Sequence, residues 1–136
     1  MSIDDNAELQ NAAFRGDLSS VRHLLAQGAD PNGLSEEGWT ALALAANRGN
    51  VDVVQELVDA GADVNFAEDE EGETVLMLAV QQAEPRAVDV LCVLLTAGAN
   101  VNAVDKLGWT ALRHAHNRPE LASILLAHGA DPSTGG

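Results

Sequence analysis

One short phrase returns four times along the chain. Gly28-Ala29-Asp30-Pro31-Asn32 recurs as Gly61-Ala62-Asp63-Val64-Asn65, as Gly98-Ala99-Asn100-Val101-Asn102 and as Gly129-Ala130-Asp131-Pro132-Ser133. The glycines stand 33, 37 and 31 residues apart. A second phrase keeps step with the first: Gly38-Trp39-Thr40-Ala41-Leu42, Gly72-Glu73-Thr74-Val75-Leu76 and Gly108-Trp109-Thr110-Ala111-Leu112. A period near 33 means units that cannot bury an apolar face alone and must stack on their neighbours.

Between the phrases the pattern is helical. Thr40–Asn47 is apolar on most faces, so a helix there has to be sandwiched between others. Gly49 stops it, because glycine tolerates the left-handed conformation of a helix C-cap. Asn50 is then placed to cap the next helix by accepting a backbone N–H. In that helix Val51, Val54, Leu57 and Val58 form one stripe, and Asp52, Gln55, Glu56 and Asp59 cover the other side. Each unit therefore reads as helix, tight turn, helix and a polar loop with a glycine, suited to a hairpin-like turn.

On these residues the chain resembles the ankyrin repeat family, whose marks are a Gly-x-Thr-x-Leu opening and a Gly-Ala-Asp-Val-Asn closing. The resemblance covers about residues 5–133. It implies an all-α fold, an ankyrin-repeat α-solenoid of helix-turn-helix units joined by β-hairpin-like loops. The whole of 1–136 reads as one domain, with units at about 5–33, 34–66, 67–103 and 104–133 and a flexible end at 134–136. The family's Thr-Pro-Leu-His is replaced by Thr40-Ala41-Leu42-Ala43, Thr74-Val75-Leu76-Met77 and Thr110-Ala111-Leu112-Arg113. Any hydrogen bonding by that histidine is lost, while the threonine and apolar positions remain.

The first unit opens directly on a helix, which Asp4, Asp5 or Asn6 could cap. Gln10 and Asn11 stand where the second unit has Ala43 and Leu44, as suits the polar outer face of a terminal unit. The third unit carries extra residues around Gln82-Ala83-Glu84-Pro85, with Pro85 suited to a first helical turn. The fourth replaces the Gly-Asn junction with Arg118-Pro119.

Charge narrows the function. Lys and Arg number 7 against 21 Asp and Glu, a formal net charge of −14. Nucleic-acid binding draws affinity from neutralising phosphates, so this balance argues against it. It argues equally against anionic lipid, and favours solubility as a monomer or attraction to a basic partner. The N-terminus lacks the basic and apolar regions of a signal peptide, and no apolar run spans a bilayer. With a single cysteine, Cys92, no internal disulfide forms. A soluble, cytoplasmic protein is the expectation.

The resemblance implies protein binding through hairpin tips and the concave face of the first helices. By position, the tips are Glu36, Glu37 and Trp39, then Asp69, Glu70, Glu71 and Glu73, then Lys106, Leu107 and Trp109. The inner-helix candidates are Phe14, Arg15, Asn47, Arg48, Gln81, Gln82, Asn117 and Arg118, with Ala43, Met77 and Arg113 nearby. Trp39 and Trp109 share one repeat position, and tryptophan is enriched among interface hot spots; the alternative is a ring folded against its own hairpin. The run from Glu68 to Glu73 is a solvated loop, a docking point for a basic patch or a weak hard-cation site, though no ordered ligand spacing supports the metal version. Arg15, Arg48 and Arg118 share a repeat position at the end of the first helix. They either balance the helix dipole or form a ladder facing a partner's carboxylates.

Catalytic and metal constellations are not expected. His114 and His116 do not share a helix face, no nucleophile elbow or phosphate loop is present, and Cys92 reads as a small core hydrophobe. No cofactor is expected. The functional expectation is a non-catalytic module that binds another protein, basic or of mixed charge. The alternative is an inhibitor or immunity-type regulator that occludes a basic enzyme such as a nuclease or peptidase.

Overall fold

A computed structural model describes residues 3–68, 70–82 and 86–133. Its helices are α1 (Ile3–Arg15), α2 (Leu18–Ala26), α3 (Ala41–Arg48), α4 (Val51–Asp59), α5 (Val75–Val80), α6 (Arg86–Thr96), α7 (Ala111–His114) and α8 (Pro119–Ala127). They form four antiparallel pairs. The first helices pack in the order α1, α3, α5, α7, and the second helices in the order α2, α4, α6, α8. This is the stacked solenoid that the period of the sequence demands.

The core explains why the interior is built from alanine and leucine. Ala41, Leu42, Ala43, Ala45 and Ala46 of α3 are all buried, as are all six residues of α5. A helix packed on three sides leaves little room, and small side chains let neighbouring backbones approach. Across the units Leu9, Leu42, Leu57, Leu76, Leu91, Leu94, Leu121 and Leu125 are fully buried.

The recurring threonine starts each inner helix. Thr40 Oγ1 accepts from Ala43 N at 3.1 Å, Thr74 Oγ1 from Met77 N at 3.2 Å and Thr110 Oγ1 from Arg113 N at 3.2 Å. Each satisfies one amide that the helix itself cannot. At the other end of α3, Gly49 takes φ +72 and closes the helix as read from the sequence.

Several local expectations are corrected. Asn50 makes no cap bond within its own helix. Its Nδ2 instead donates backwards to Ala13 O at 3.1 Å, tying the end of α1 to the second unit. Asn6 lies inside α1 rather than capping it, and its Oδ1 accepts from Asp30 N at 3.1 Å. Cys92 is exposed, not in the core. It lies on the outward side of α6, where α6 has no further layer to cover it. Gln10 is buried although polar, because its Nε2 donates to Gly33 O at 2.9 Å. Ala83, Glu84, Pro85 and residues 134–136 lie outside the described residues.

The closing phrase of each unit also has a bonding role. Asn32 Oδ1 accepts from Asp63 N at 2.7 Å, Asn65 Oδ1 from Asn100 N at 2.6 Å and Asn102 Oδ1 from Asp131 N at 2.8 Å. Each unit thus hands an amide oxygen to the next, which fixes the stacking register.

Candidate functional site

The hairpins between units are organised by one repeat position. Ser35 N donates to Trp39 O at 2.8 Å, Glu68 N to Glu73 O at 3.0 Å and Asp105 N to Trp109 O at 2.9 Å. The side chain at the same position accepts from the far arm of each turn. Ser35 Oγ takes Trp39 N at 3.1 Å, and Asp105 Oδ1 takes Leu107 N and Trp109 N, both at 2.9 Å. Glu68 takes three amides, from Glu70, Glu71 and Glu73, at 2.8–3.1 Å. Glu68 is therefore buried and spent on its turn, and does not belong with the exposed acids.

Around these turns the predicted tip residues fall into two groups. Glu36, Glu37, Glu70, Glu71 and Lys106 are exposed, while Trp39, Glu73 and Trp109 are half-buried. Asp69 lies outside the described residues. The second and third hairpins touch directly, with Lys106 N donating to Glu71 O at 3.0 Å. Gly72 makes this approach possible. It adopts φ +72, and a Cβ there would sit 3.1 Å from the Lys106 backbone nitrogen.

The inner-helix candidates are only partly brought to a common surface. Met77 is fully buried in α5, so its assignment to the binding face is corrected. It follows Thr74 by three residues, and that helical position turns into the stack. Arg15 and Arg48 are exposed. Arg15 reaches Asp17 at 3.8 Å, and the Arg48 guanidinium lies 4.7 Å from the centre of the Phe14 ring. Gln82 and Arg118 have another role. Gln82 Nε2 donates to Asn47 O and Arg118 Nη1 donates to Val80 O, each across a unit boundary. With Asn50 on α1, these side chains satisfy carbonyls left open at the ends of three inner helices. The arginine row is therefore no single ladder.

Phe14 stands at the inner-helix position beside Arg15. It is 43% exposed and lines a cavity of about 370 Å³ with Asn11, Leu44, Glu36 and Glu37. The fourth unit repeats the theme. Arg113 lies 4.4 Å above the Trp109 ring, whose centre is 5.3 Å from that of His114.

Beneath that ring lies a group of ionisable side chains. His114 Nε2 stands 2.8 Å from Asp105 Oδ2, and Glu73 offers a third donor, all within 4.8 Å of one another. Burial raises the Asp105 carboxyl, but donation from the Trp109 amide, from His114 and from the Leu107 amide outweighs it and holds the group below the usual value. The three residues come from separate stretches, which is why spacing along the chain did not reveal them.

No helix among the described residues is long and apolar enough to cross a membrane. A family model for ankyrin repeats, in three copies, matches residues 9–105. The Caenorhabditis elegans ankyrin repeat and LEM domain-containing protein 1 homolog is 44% identical over 62 residues, covering 44% of this chain and 9% of that protein. The human mitochondrial disaggregase is 50% identical over 44 residues, covering 31% and 6%. The human 2-5A-dependent ribonuclease is 42% identical over 65 residues, covering 46% and 8%. The chain thus spans less than a tenth of the length of each. Ankyrin repeats are in general protein–protein interaction modules without catalytic chemistry of their own. By its recurring phrases, its paired helices and this match, the chain belongs to the ankyrin repeat family.

Proposed function

We propose that this chain binds a partner protein through its hairpin tips and the concave side of its inner helices. The observation that supports this most is the cavity beside Phe14. An aromatic ring, a leucine and two exposed glutamates there face one space. A lysine or arginine side chain of a partner fits that chemistry, its stem on the ring and its charge on the glutamates. Exposed Leu34 and Leu107 near the tips add apolar contact area. The partner is then basic or of mixed charge, and the chain acts as a monomer.

The −14 charge supports a second reading, an inhibitor that occludes a basic enzyme such as a nuclease or peptidase. Affinity capture from host extract with the wild-type chain and with a Trp39→Ala, Glu36→Lys, Glu37→Lys variant tests the binding surface. The expected result is a partner held by the first and lost by the second, with equal helical circular dichroism. Equal capture by both contradicts the surface. An activity assay on the captured partner separates inhibition from scaffolding.

A further inference from the structure

The group beneath Trp109 has the chemistry of a metal centre. His114 supplies an imidazole nitrogen, Asp105 and Glu73 supply carboxylates, and their donor atoms lie within 4.8 Å of one another. The arrangement is held from behind. Asp105 Oδ1 is occupied by the Leu107 and Trp109 amides, which leaves Oδ2 aimed at His114 Nε2. Glu73 is oriented by Gln81, whose Nε2 donates to Oε2 at 2.6 Å. Outer partners of this kind fix first-sphere ligands in working metal sites. The side chains of His114 and Asp105 are 14% and 3% exposed, so an ion here would be largely sheltered.

We propose that Glu73, Asp105 and His114 form a three-ligand site for a borderline divalent cation, zinc or a close relative, joining the second hairpin to the third hairpin and α7. Zinc takes nitrogen and carboxylate oxygen at about 2.0–2.2 Å, which sets tetrahedral ligands roughly 3.3 Å apart. The 2.8 Å His–Asp contact is shorter than that spacing, so the two groups part to admit an ion, and all three donors already lie within 4.8 Å of one another. One imidazole and two carboxylates do not make the six to eight oxygens that calcium prefers. Three protein ligands leave a fourth position open to water or to a donor from a partner. The site joins Glu73 of one hairpin to Asp105 and His114 of the next unit, so a bound ion stiffens that junction.

The test uses the full chain stripped of metal and titrated with zinc chloride by calorimetry, and with cobalt(II) by absorption. The same titrations are made on Glu73→Gln and His114→Ala. The expected result is one ion per chain, with zinc binding weakened at least ~10-fold in either variant, since loss of even an outer partner of a ligand costs that much. Zinc should also raise the melting temperature of the wild type and not that of Glu73→Gln. Absence of saturable zinc binding by the wild type overturns the proposal. So does unchanged affinity in the variants, which places the ion on exposed acids or on His116 and His128. Equal competition by calcium overturns the choice of cation. Should His114→Ala fail to fold, Glu73→Gln decides alone, since it lies at a half-exposed position and keeps the Gln81 contact available.

Discussion

Ser35, Glu68 and Asp105 do one job with three chemistries. Each receives the amides of a hairpin's returning arm, and the carboxylates do so with charge, which strengthens the bonds. Glu68 bonds three amides while 4% exposed. Glu68→Ala should therefore cost about 1–3 kcal/mol in urea unfolding, the range for stranded amide donors. A loss under ~0.5 kcal/mol contradicts that role, and Glu68→Gln, which still offers an accepting oxygen, should cost less. Asp17 caps α2 in the same manner. It accepts from Ser20 Oγ at 2.8 Å and from Ser20 N at 3.2 Å, and these bonds hold its carboxyl below the ordinary aspartate value. A lowered folded value means stability present above the ordinary value and lost as pH falls through the lowered one. The gap in Tm between the wild type and Asp17→Ala should hold steady at neutral pH and shrink below about pH 4. A gap that persists unchanged at about pH 2 contradicts the cap.

The elements follow from the same local choices repeated. A threonine opens each of α3, α5 and α7, and alanine-rich sequence lets α3 be covered on both sides. Leu57 in α4 is fully buried. Leu57→Ala should cost ~2–5 kcal/mol by transfer and cavity terms, and a fall in Tm below ~3 °C would show that the neighbouring units collapse into the space. Helix positions and the solenoid order were legible because period, caps and apolar stripes all agree. Bonds between units were not. Asn50 has the local look of a cap, yet its amide serves Ala13 and Phe14 of the preceding unit. Met77 has the look of a surface neighbour of Thr74, yet α5 is buried on every side. The Glu73, Asp105 and His114 group escaped notice for a related reason. Folding, not sequence spacing, sets the distance between residues 73 and 105.

At the scale of the whole molecule, stacking makes one continuous core and leaves function to the side where tips and inner helices meet. Each helix packs against its own pair partner and against the corresponding helix of the adjacent units, so a partner can read several units without disturbing the fold. With a charge of −14, association with a basic partner should slow as salt is added, since screening shortens the reach of the field. The central claim is that the tips and inner helices, not the outer helices, carry binding. Amide hydrogen exchange of the chain with and without its captured partner tests it most directly. Added protection is expected in the hairpins around Glu36, Glu71 and Leu107 and at the ends of α1 and α3. Protection confined to α2, α4, α6 and α8 would contradict it.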